Sequence, residues 1–137
     1  MAIKVLPDVA DITNVSFNQH LPSKTYRMDT NEFRIGGMID EAQAIKQAIY
    51  CILQTDRFSC PILSRNYGIE KSDLFGKPVD FAAQRLERRI SEALTQDDRI
   101  EKITNYQAEE AGPHTLHVSF TAVTTAGDIG IDQEVMF

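Results

Sequence analysis

The chain has 137 residues and carries 14 lysines and arginines against 20 aspartates and glutamates, a formal charge of −6 at pH 7. Proteins that bind nucleic acid or anionic membrane surfaces present basic patches, so this balance argues against both classes of partner. A composition of 42% hydrophobic and 25% charged residues predicts one soluble globular domain. The charge is uneven, at −1 over residues 1–40, +1 over residues 41–95 and −6 over residues 96–137.

The sequence contains neither the ~18 uninterrupted apolar residues of a transmembrane helix nor, at its start, the apolar run of a secretory signal. Its two cysteines, Cys51 and Cys60, form no CxxC motif, and both lie on apolar repeats. They are interpreted as small packing residues, not as a disulfide or a metal site. These features predict synthesis in a reducing cytoplasm.

The first third of the chain predicts an arm, a hairpin and a helix. Residues 1–22 have no clean period and predict an extended or flexible N-terminal arm. Residues 24–29 and 33–39 are expected to form a β-hairpin. Asp40 begins a helix, because its side chain can cap the first turn while Gln43 completes a capping box. The apolar stripe of this helix comprises Ala42, Ile45, Ile49, Ile52 and Leu53.

The next segment predicts an edge strand and a long loop. Residues 57–63 alternate in polarity, and Pro61 within them indicates an edge strand or a bulge. The side chains expected to point inward are those of Phe58, Cys60 and Ile62. Residues 64–78 form a loop, because glycine and proline interrupt any regular element there. The apolar residues of this loop are Tyr67, Ile69, Leu74 and Phe75.

A second helix is predicted from Pro78 or Asp80 to about Thr95, with a buried line at Ala82, Leu86, Ile90 and Leu94. Its opposite face carries Arg85, Arg88 and Arg89, interleaved with Glu87 and Glu92. This face lacks aromatic stacking partners and belongs to an acidic protein. A solvated face or a protein contact surface is therefore favoured over a nucleic-acid patch.

The rest of the chain predicts three strands, at residues 103–109, 116–124 and 129–137. In the last strand Ile129, Ile131, Val135 and Phe137 share one face, with Asp132, Glu134 and Met136 opposite. The sequence therefore predicts a single α+β domain over residues 23–137, in the order ββ-α-β-loop-α-βββ. Two helices are expected to pack on a mixed or antiparallel sheet.

No catalytic, cofactor or metal site is predicted. The sequence lacks the motifs of phosphate-binding loops, serine hydrolases and zinc proteases. His114 and His117 point to opposite faces of an extended chain, a poor arrangement for a shared metal. Glycan hydrolysis needs paired carboxylates, and the possible pairs are Asp97-Asp98, Glu109-Glu110 and Asp128 with Asp132. Nothing near them predicts the apolar pocket that raises a carboxyl pKa, so they are interpreted as solvated surface.

Three groups of segments occur in an order and spacing that resemble a known family. They are residues 22–29 (PSKTYRMD); residues 44–53 (AIKQAIYCIL) with 66–70 (NYGIE) and 73–76 (DLFG); and residues 86–93 (LERRISEA) with 97–100 (DDRI). Over about residues 22–125 the chain resembles the small baseplate wedge proteins of contractile phage tails and defective prophage particles. This is the sheath-initiator family shared with type VI secretion baseplates. An older name calls it lysozyme-like, a label to which this sequence gives no catalytic support.

The resemblance implies a structural protein without enzymatic activity or cofactor, assembled in the host cytoplasm into the virion tail baseplate. The implied partners are the helical core bundle of the larger wedge subunits, the tail sheath protein and tube-proximal hub proteins. Many relatives carry a Glu-Pro-Arg motif after the second helix that is implicated in contact with the bundle. Asp97, Asp98 and Arg99 take that place here, with Asp98 where proline is usual.

The resemblance also implies that a β surface starts the sheath, and an open sheet edge can receive a partner strand. Strands 116–124 and 129–137 are the candidates for this edge. The contacts predicted on the last strand are Ile129, Ile131, Asp132 and Glu134.

Several interpretations stay open. Tyr67, Leu74 and Phe75 either fix the loop to the core or dock a neighbouring wedge subunit. Arg99 either complements the dipole at the helix end or contacts a partner. For the whole chain, the alternatives are a peptidoglycan-degrading tail lysozyme and a free adaptor in bacterial regulation.

Overall fold

The structure, a computed structural model, describes residues 22–137. Apart from Pro22, the predicted N-terminal arm lies outside the described residues. Within residues 22–137, two helices and five strands follow in the order ββ-α-α-βββ, which confirms the predicted α+β class. Their bounds are β1 Thr25–Asp29, β2 Arg34–Ile39, α1 Glu41–Gln54, α2 Val79–Leu94, β3 Ile100–Gly112, β4 Thr115–Thr124 and β5 Gly127–Met136.

β1 and β2 form the predicted hairpin as a separate two-stranded antiparallel sheet. Tyr26 lies opposite Met38 and Met28 opposite Ile35, so β2 contains one extra residue between these pairs. The bulge falls at Gly36-Gly37, where Gly37 has a φ of +70° that glycine adopts without strain. The four paired side chains share one face, and all of them are exposed.

The two helices begin where the sequence predicts. Asp40 caps α1, with its Oδ1 accepting a hydrogen bond from the Glu41 N–H at 2.7 Å. α2 follows Pro78, and its buried line is the predicted one with Ala93 added. In α1 the buried face begins at Ala44, and the predicted Ala42 is exposed. Ala42 lies on the same face as Ile49, seven residues on, but it belongs to the first turn of α1, ahead of the point where the buried face begins.

β3, β4 and β5 form an antiparallel meander with β4 in the centre. Every second residue of β4 is buried, and these residues face the helices. α1 packs against β5 and α2 against β3, so both helices cover the same face of this sheet. The opposite face carries only exposed or half-buried side chains along β4 and β5, and we call it the open face.

The strand predicted at residues 57–63 is absent, which corrects the predicted order. Asp56 makes only an isolated bridge to Ile69, and the intervening residues are turns and bends. Phe58 and Ile62, which were expected to point inward, are 62% and 91% exposed. The segment bonds to its own loop, with Arg57 N donating to the Ile69 carbonyl at 3.0 Å, and no sheet edge among the described residues pairs with it. Alternating polarity makes a strand only where a partner strand is available.

Gly68 brings this loop close to the end of α1. Its φ is +92°, and a Cβ at this position would lie 2.7 Å from the Thr55 carbonyl oxygen. Only glycine fits such an approach, which allows Ile69 N to donate to the same carbonyl at 3.0 Å. Ile69 is thereby buried in the core between the helices and the loop.

Candidate functional site

β5 is a regular edge strand. It pairs with β4 over ten residue pairs without a register shift, and no other described strand pairs with it. Phe137 N donates to the His114 carbonyl at 2.9 Å, and backbone groups alternate in direction along an antiparallel strand. Odd-numbered residues of β5 therefore bond to β4. The residues whose N–H and C=O groups turn outward are Asp128, Gly130, Asp132, Glu134 and Met136.

β4, the other strand predicted to receive a partner, is not an edge. β3 and β5 pair with it on both sides, so its backbone groups are already used. The prediction of a receiving edge at residues 116–124 is therefore wrong. Two consecutive hairpins place the middle strand of three in the centre of the sheet. The short turns at 112–114 and 125–126 indicate these hairpins in the sequence.

The four residues predicted as contacts on β5 divide into two pairs. Ile129 and Ile131 are buried against the helices, and their backbone groups face β4. Their contribution is to hold the strand in place. Asp132 and Glu134 are exposed on the open face and have outward backbone groups. This second pair presents both its side chains and its backbone groups at the surface.

A groove runs beside the edge of β5. It has a volume of about 390 Å³ and lies between Lys46, Tyr50 and Gln54 of α1 and residues 131–134 of β5. Gln54 Nε2 donates to the outward carbonyl of Glu134 at 3.5 Å, the long limit for a hydrogen bond. These three α1 residues are not among the predicted contacts, although they form a polar stripe at helical spacing beside the predicted core line.

The open face is acidic around His117. Asp132 Oδ1 contacts His117 Nε2 across β4 and β5, and Glu109 and Glu134 are the residues directly opposite His117 on the two neighbouring strands. Part of the negative charge of residues 96–137 is therefore concentrated on this face and on the edge of β5. Among residues 22–137, no three His, Cys, Asp or Glu side chains are arranged so that they could hold a metal ion.

Asp97 and Arg99 close the turn between α2 and β3. Arg99 donates from Nε to Asp97 Oδ1 at 2.8 Å and from an Nη to Oδ2 at 2.6 Å. These bonds from Arg99 hold the pKa of Asp97 below its ordinary value of 3.8. The Arg99 carbonyl also accepts from Thr125 N at 2.9 Å, which ties this turn to the one between β4 and β5. Both side chains are thus engaged within the chain, and Asp98 between them is exposed.

The predicted contact residues of the long loop differ in exposure. Leu74 is 0% exposed and belongs to the core, so its side chain is not at the surface for a docking partner. Tyr67 packs against the core and is half-buried, which raises the pKa of its hydroxyl. Phe75 is 62% exposed. Of the three, Phe75 presents the largest apolar surface to solvent.

A side-chain amide also occupies the outer edge of β1. Gln47 Oε1 accepts from Met28 N and Gln47 Nε2 donates to the Tyr26 carbonyl, both at 2.8 Å. This pair of bonds repeats the pattern by which a neighbouring strand would bond to β1. α1 thus carries glutamines at two strand edges, Gln47 on β1 and Gln54 on β5.

Comparison with known proteins identifies the family. A model of the contractile injection system sheath initiator family matches residues 23–127, which include both helices and strands β1 to β4. The chain is 37% identical over 117 residues to the phage-like element PBSX protein XkdS of Bacillus subtilis (strain 168), and the match covers 82% of each chain. No helix among residues 22–137 is long and apolar enough to cross a membrane. The chain therefore belongs to the contractile injection system sheath initiator family, as its sequence predicts, and is a structural component of a contractile tail.

Proposed function

We propose that this protein is a baseplate wedge subunit that joins the wedge core bundle to the first sheath ring by adding a sheath strand to the free edge of β5. The observation that carries the proposal is the ten-residue edge of β5, whose outward backbone groups pair with no described strand and which adjoins a groove. Main-chain hydrogen bonds to such an edge provide affinity, and alternate side chains of the added strand provide specificity. The protein would reach the virion tail baseplate after assembly in the host cytoplasm, beside tube-proximal hub proteins.

The groove and the open face define the side chains that the added strand should carry. Side chains directed toward α1 would enter the groove between Tyr50 and β5, next to the Lys46 ammonium. Side chains on the other face would lie beside Asp132 and Glu134. A strand with basic residues at alternate positions fits this surface, because its cations would meet the acidic open face.

The opposite edge, β3, is a poorer template for an added strand. Its pairing with β4 is interrupted by three register shifts, and Asn105 within it has a φ of +54°. Bulges of this kind twist an edge and break the regular spacing of its backbone groups. β5 therefore supports strand addition better than β3.

The carboxylates of the chain support a role without catalysis. A glycosidase acid needs a raised pKa, whereas the ion pair with Arg99 lowers the pKa of Asp97. Glu109, Asp128 and Asp132 are exposed on the surface and do not lie in an enclosed apolar pocket. We expect purified protein to leave a cell-wall suspension turbid. Clearing of the suspension would instead support the hypothesis of a peptidoglycan-degrading lysozyme.

A proline on the outer edge tests strand addition. Asp132→Pro removes an outward N–H and places a ring where the added strand would bond, while the bonds of β5 to β4 stay. Asp132→Ala is the matched control, because it removes the same carboxylate and keeps the N–H. We expect particles with Asp132→Pro to contain the protein but no sheath, and particles with Asp132→Ala to be sheathed. The readout is electron microscopy of purified particles.

Thermal unfolding of the free protein verifies that Asp132→Pro is folded. If it is not, Gly130→Pro blocks the next outward N–H in the same way. Sheathed, contractile particles from a folded proline variant would show that the edge of β5 is not the sheath contact.

For contact with the core bundle, Asp98 is a cleaner probe than Arg99. Arg99→Ala should weaken wedge assembly, but it also breaks the ion pair with Asp97 and so affects the fold. Asp98 is exposed between them. We expect Asp98→Ala to leave thermal unfolding unchanged and to reduce recovery of the protein in wedge complexes, and unchanged recovery would argue against bundle contact at this turn.

A further inference from the structure

A second groove lies between α2 and the loop that follows α1. Its volume is about 750 Å³, and four arginines line it. They are Arg57, Arg85, Arg88 and Arg89, and we call the site the arginine groove. Only two carboxylates line it, those of Glu70 and Glu92. The groove is thus a basic surface on a chain whose net charge is −6.

Two of the four arginines are engaged by carboxylates. Arg89 donates to the Glu70 carbonyl at 2.5 Å and to Asp73 Oδ2 at 2.6 Å, which fixes the loop to α2. Arg88 forms an exposed pair with Glu92 one turn along the helix. These bonds give Arg88 and Arg89 partners within the chain.

Arg57 and Arg85 have no carboxylate among residues 22–137 within salt-bridge distance. The Arg57 guanidinium lies 4.8 Å from the centre of the Phe58 ring, and the Arg85 guanidinium lies 4.9 Å from the centre of the Phe81 ring. Arg57 Nε also donates to the Arg65 carbonyl at 2.7 Å. Stacking and this bond hold the two guanidinium groups in place, so less conformational entropy is lost when a carboxylate binds them.

We propose that the arginine groove binds an acidic segment of a partner protein, whose carboxylates pair with Arg57 and Arg85. Guanidinium and carboxylate groups match in bidentate geometry. The side-chain amides of Asn66, Gln84 and Gln96 also line the groove and can bond to the backbone of an extended or helical segment. This surface belongs to α2, whereas the edge of β5 lies against α1, so the proposal does not depend on strand addition.

The composition of the groove favours a protein segment over nucleic acid. Phe81 is the aromatic residue that lines the groove, and the Arg85 guanidinium covers one face of its ring. The acidic open face of the sheet would also repel a polyanion of any length. A short acidic segment avoids that repulsion, because it ends within the groove.

Charge reversal tests the proposal in assembled particles. Arg85 is exposed, so Arg85→Glu should fold, and Arg85→Gln is the second variant if it does not. We expect Arg85→Glu to lower the amount of the protein in purified tails on the order of tenfold, as for removal of a charge-assisted contact. Arg34→Glu, at another exposed arginine, on the hairpin, is the control and should leave that amount unchanged. Wild-type amounts with a folded Arg85 variant would overturn the proposal.

A photo-reactive amino acid at Gln84 identifies what occupies the groove. We expect a cross-link in whole tails to a peptide of another tail protein that contains aspartate or glutamate. A cross-link to nucleic acid, to a segment without carboxylates, or to residues 1–21 of the same chain would overturn the proposal. Because Gln84 belongs to α2, which packs against β3, whereas α1 packs against β5, loss of this cross-link with Asp132→Pro would show that the two surfaces are not independent.

Discussion

The ion pair of Asp97 and Arg99 is the most strongly bonded pair of charged side chains in the candidate surfaces. Its carboxylate accepts two bonds from the guanidinium and one from the Arg99 N–H. Such a pair, three and five residues beyond the end of α2, fixes the turn that starts β3. A partner that contacts this turn therefore meets a backbone conformation that hydrogen bonds within the chain already fix.

This pair predicts how stability changes in acid. The pKa of Asp97 is lowered in the folded state, so its contribution to stability is present above its ordinary value of 3.8 and is lost as pH falls through the lower folded value. We expect the thermal midpoint of the wild type to fall more steeply below about pH 4 than that of Asp97→Asn. Glu101→Gln, an exposed carboxylate nearby, should keep the wild-type steepness. Parallel acid profiles for wild type and Asp97→Asn would contradict the assignment.

At the scale of elements, the long loop after α1 is held by a few buried groups. Leu74 enters the core, Gly68 allows the close approach to Thr55, and Arg89 fixes the loop to α2. The loop therefore behaves as a packed part of the domain and forms one wall of the arginine groove.

Two adjacent residues of this loop should respond differently to truncation. Leu74→Ala removes a fully buried side chain and should lower the free energy of unfolding by about 2–5 kcal/mol. Phe75→Ala removes an exposed one and should cost less than about 1 kcal/mol. Chemical denaturation of the two purified variants measures both values. Equal losses would mean that Phe75 also packs in the core.

The elements differ in how well the sequence predicts them. α1, α2 and β4 carry long, regular apolar periods, and the structure confirms them. Residues 57–63 carry a similar period but have no partner strand, and a local pattern holds no information about pairing. The groove beside β5 and the arginine groove each combine residues from distant elements, so only the folded chain brings them together.

For the whole molecule, the distribution of charge separates two surfaces. The open face and the edge of β5 are acidic, whereas the groove along α2 is basic. A linking subunit with unlike surfaces can select unlike partners, because each surface repels the partner of the other.

The acidic surface predicts that sheath assembly depends on salt. If a basic sheath strand is steered to β5, the rate of sheath nucleation on purified baseplates should fall as ionic strength rises from ~0.1 M toward ~1 M. Neutralising Asp128, Asp132 and Glu134 together should lower the rate at low salt and flatten this dependence. The control neutralises three exposed acids elsewhere, namely Glu32, Glu41 and Glu87. If the nucleation rate changes neither with salt nor when Asp128, Asp132 and Glu134 are neutralised, these acids contribute to solubility alone.

The hydrogen bond from Gln54 to Glu134 has a consequence for the time before assembly. A free strand edge on a protein held in solution is a hazard, because copies can pair through it and aggregate. Gln54 occupies one outward carbonyl of that edge, and its 3.5 Å bond is long enough for a main-chain N–H to replace it. The Gln54 side chain thus hinders pairing of β5 between copies of the subunit. A strand that forms the full set of main-chain hydrogen bonds with β5 can still displace it. We therefore expect that replacing Gln54 makes the free subunit aggregate faster in solution. The assembled tail should be affected less.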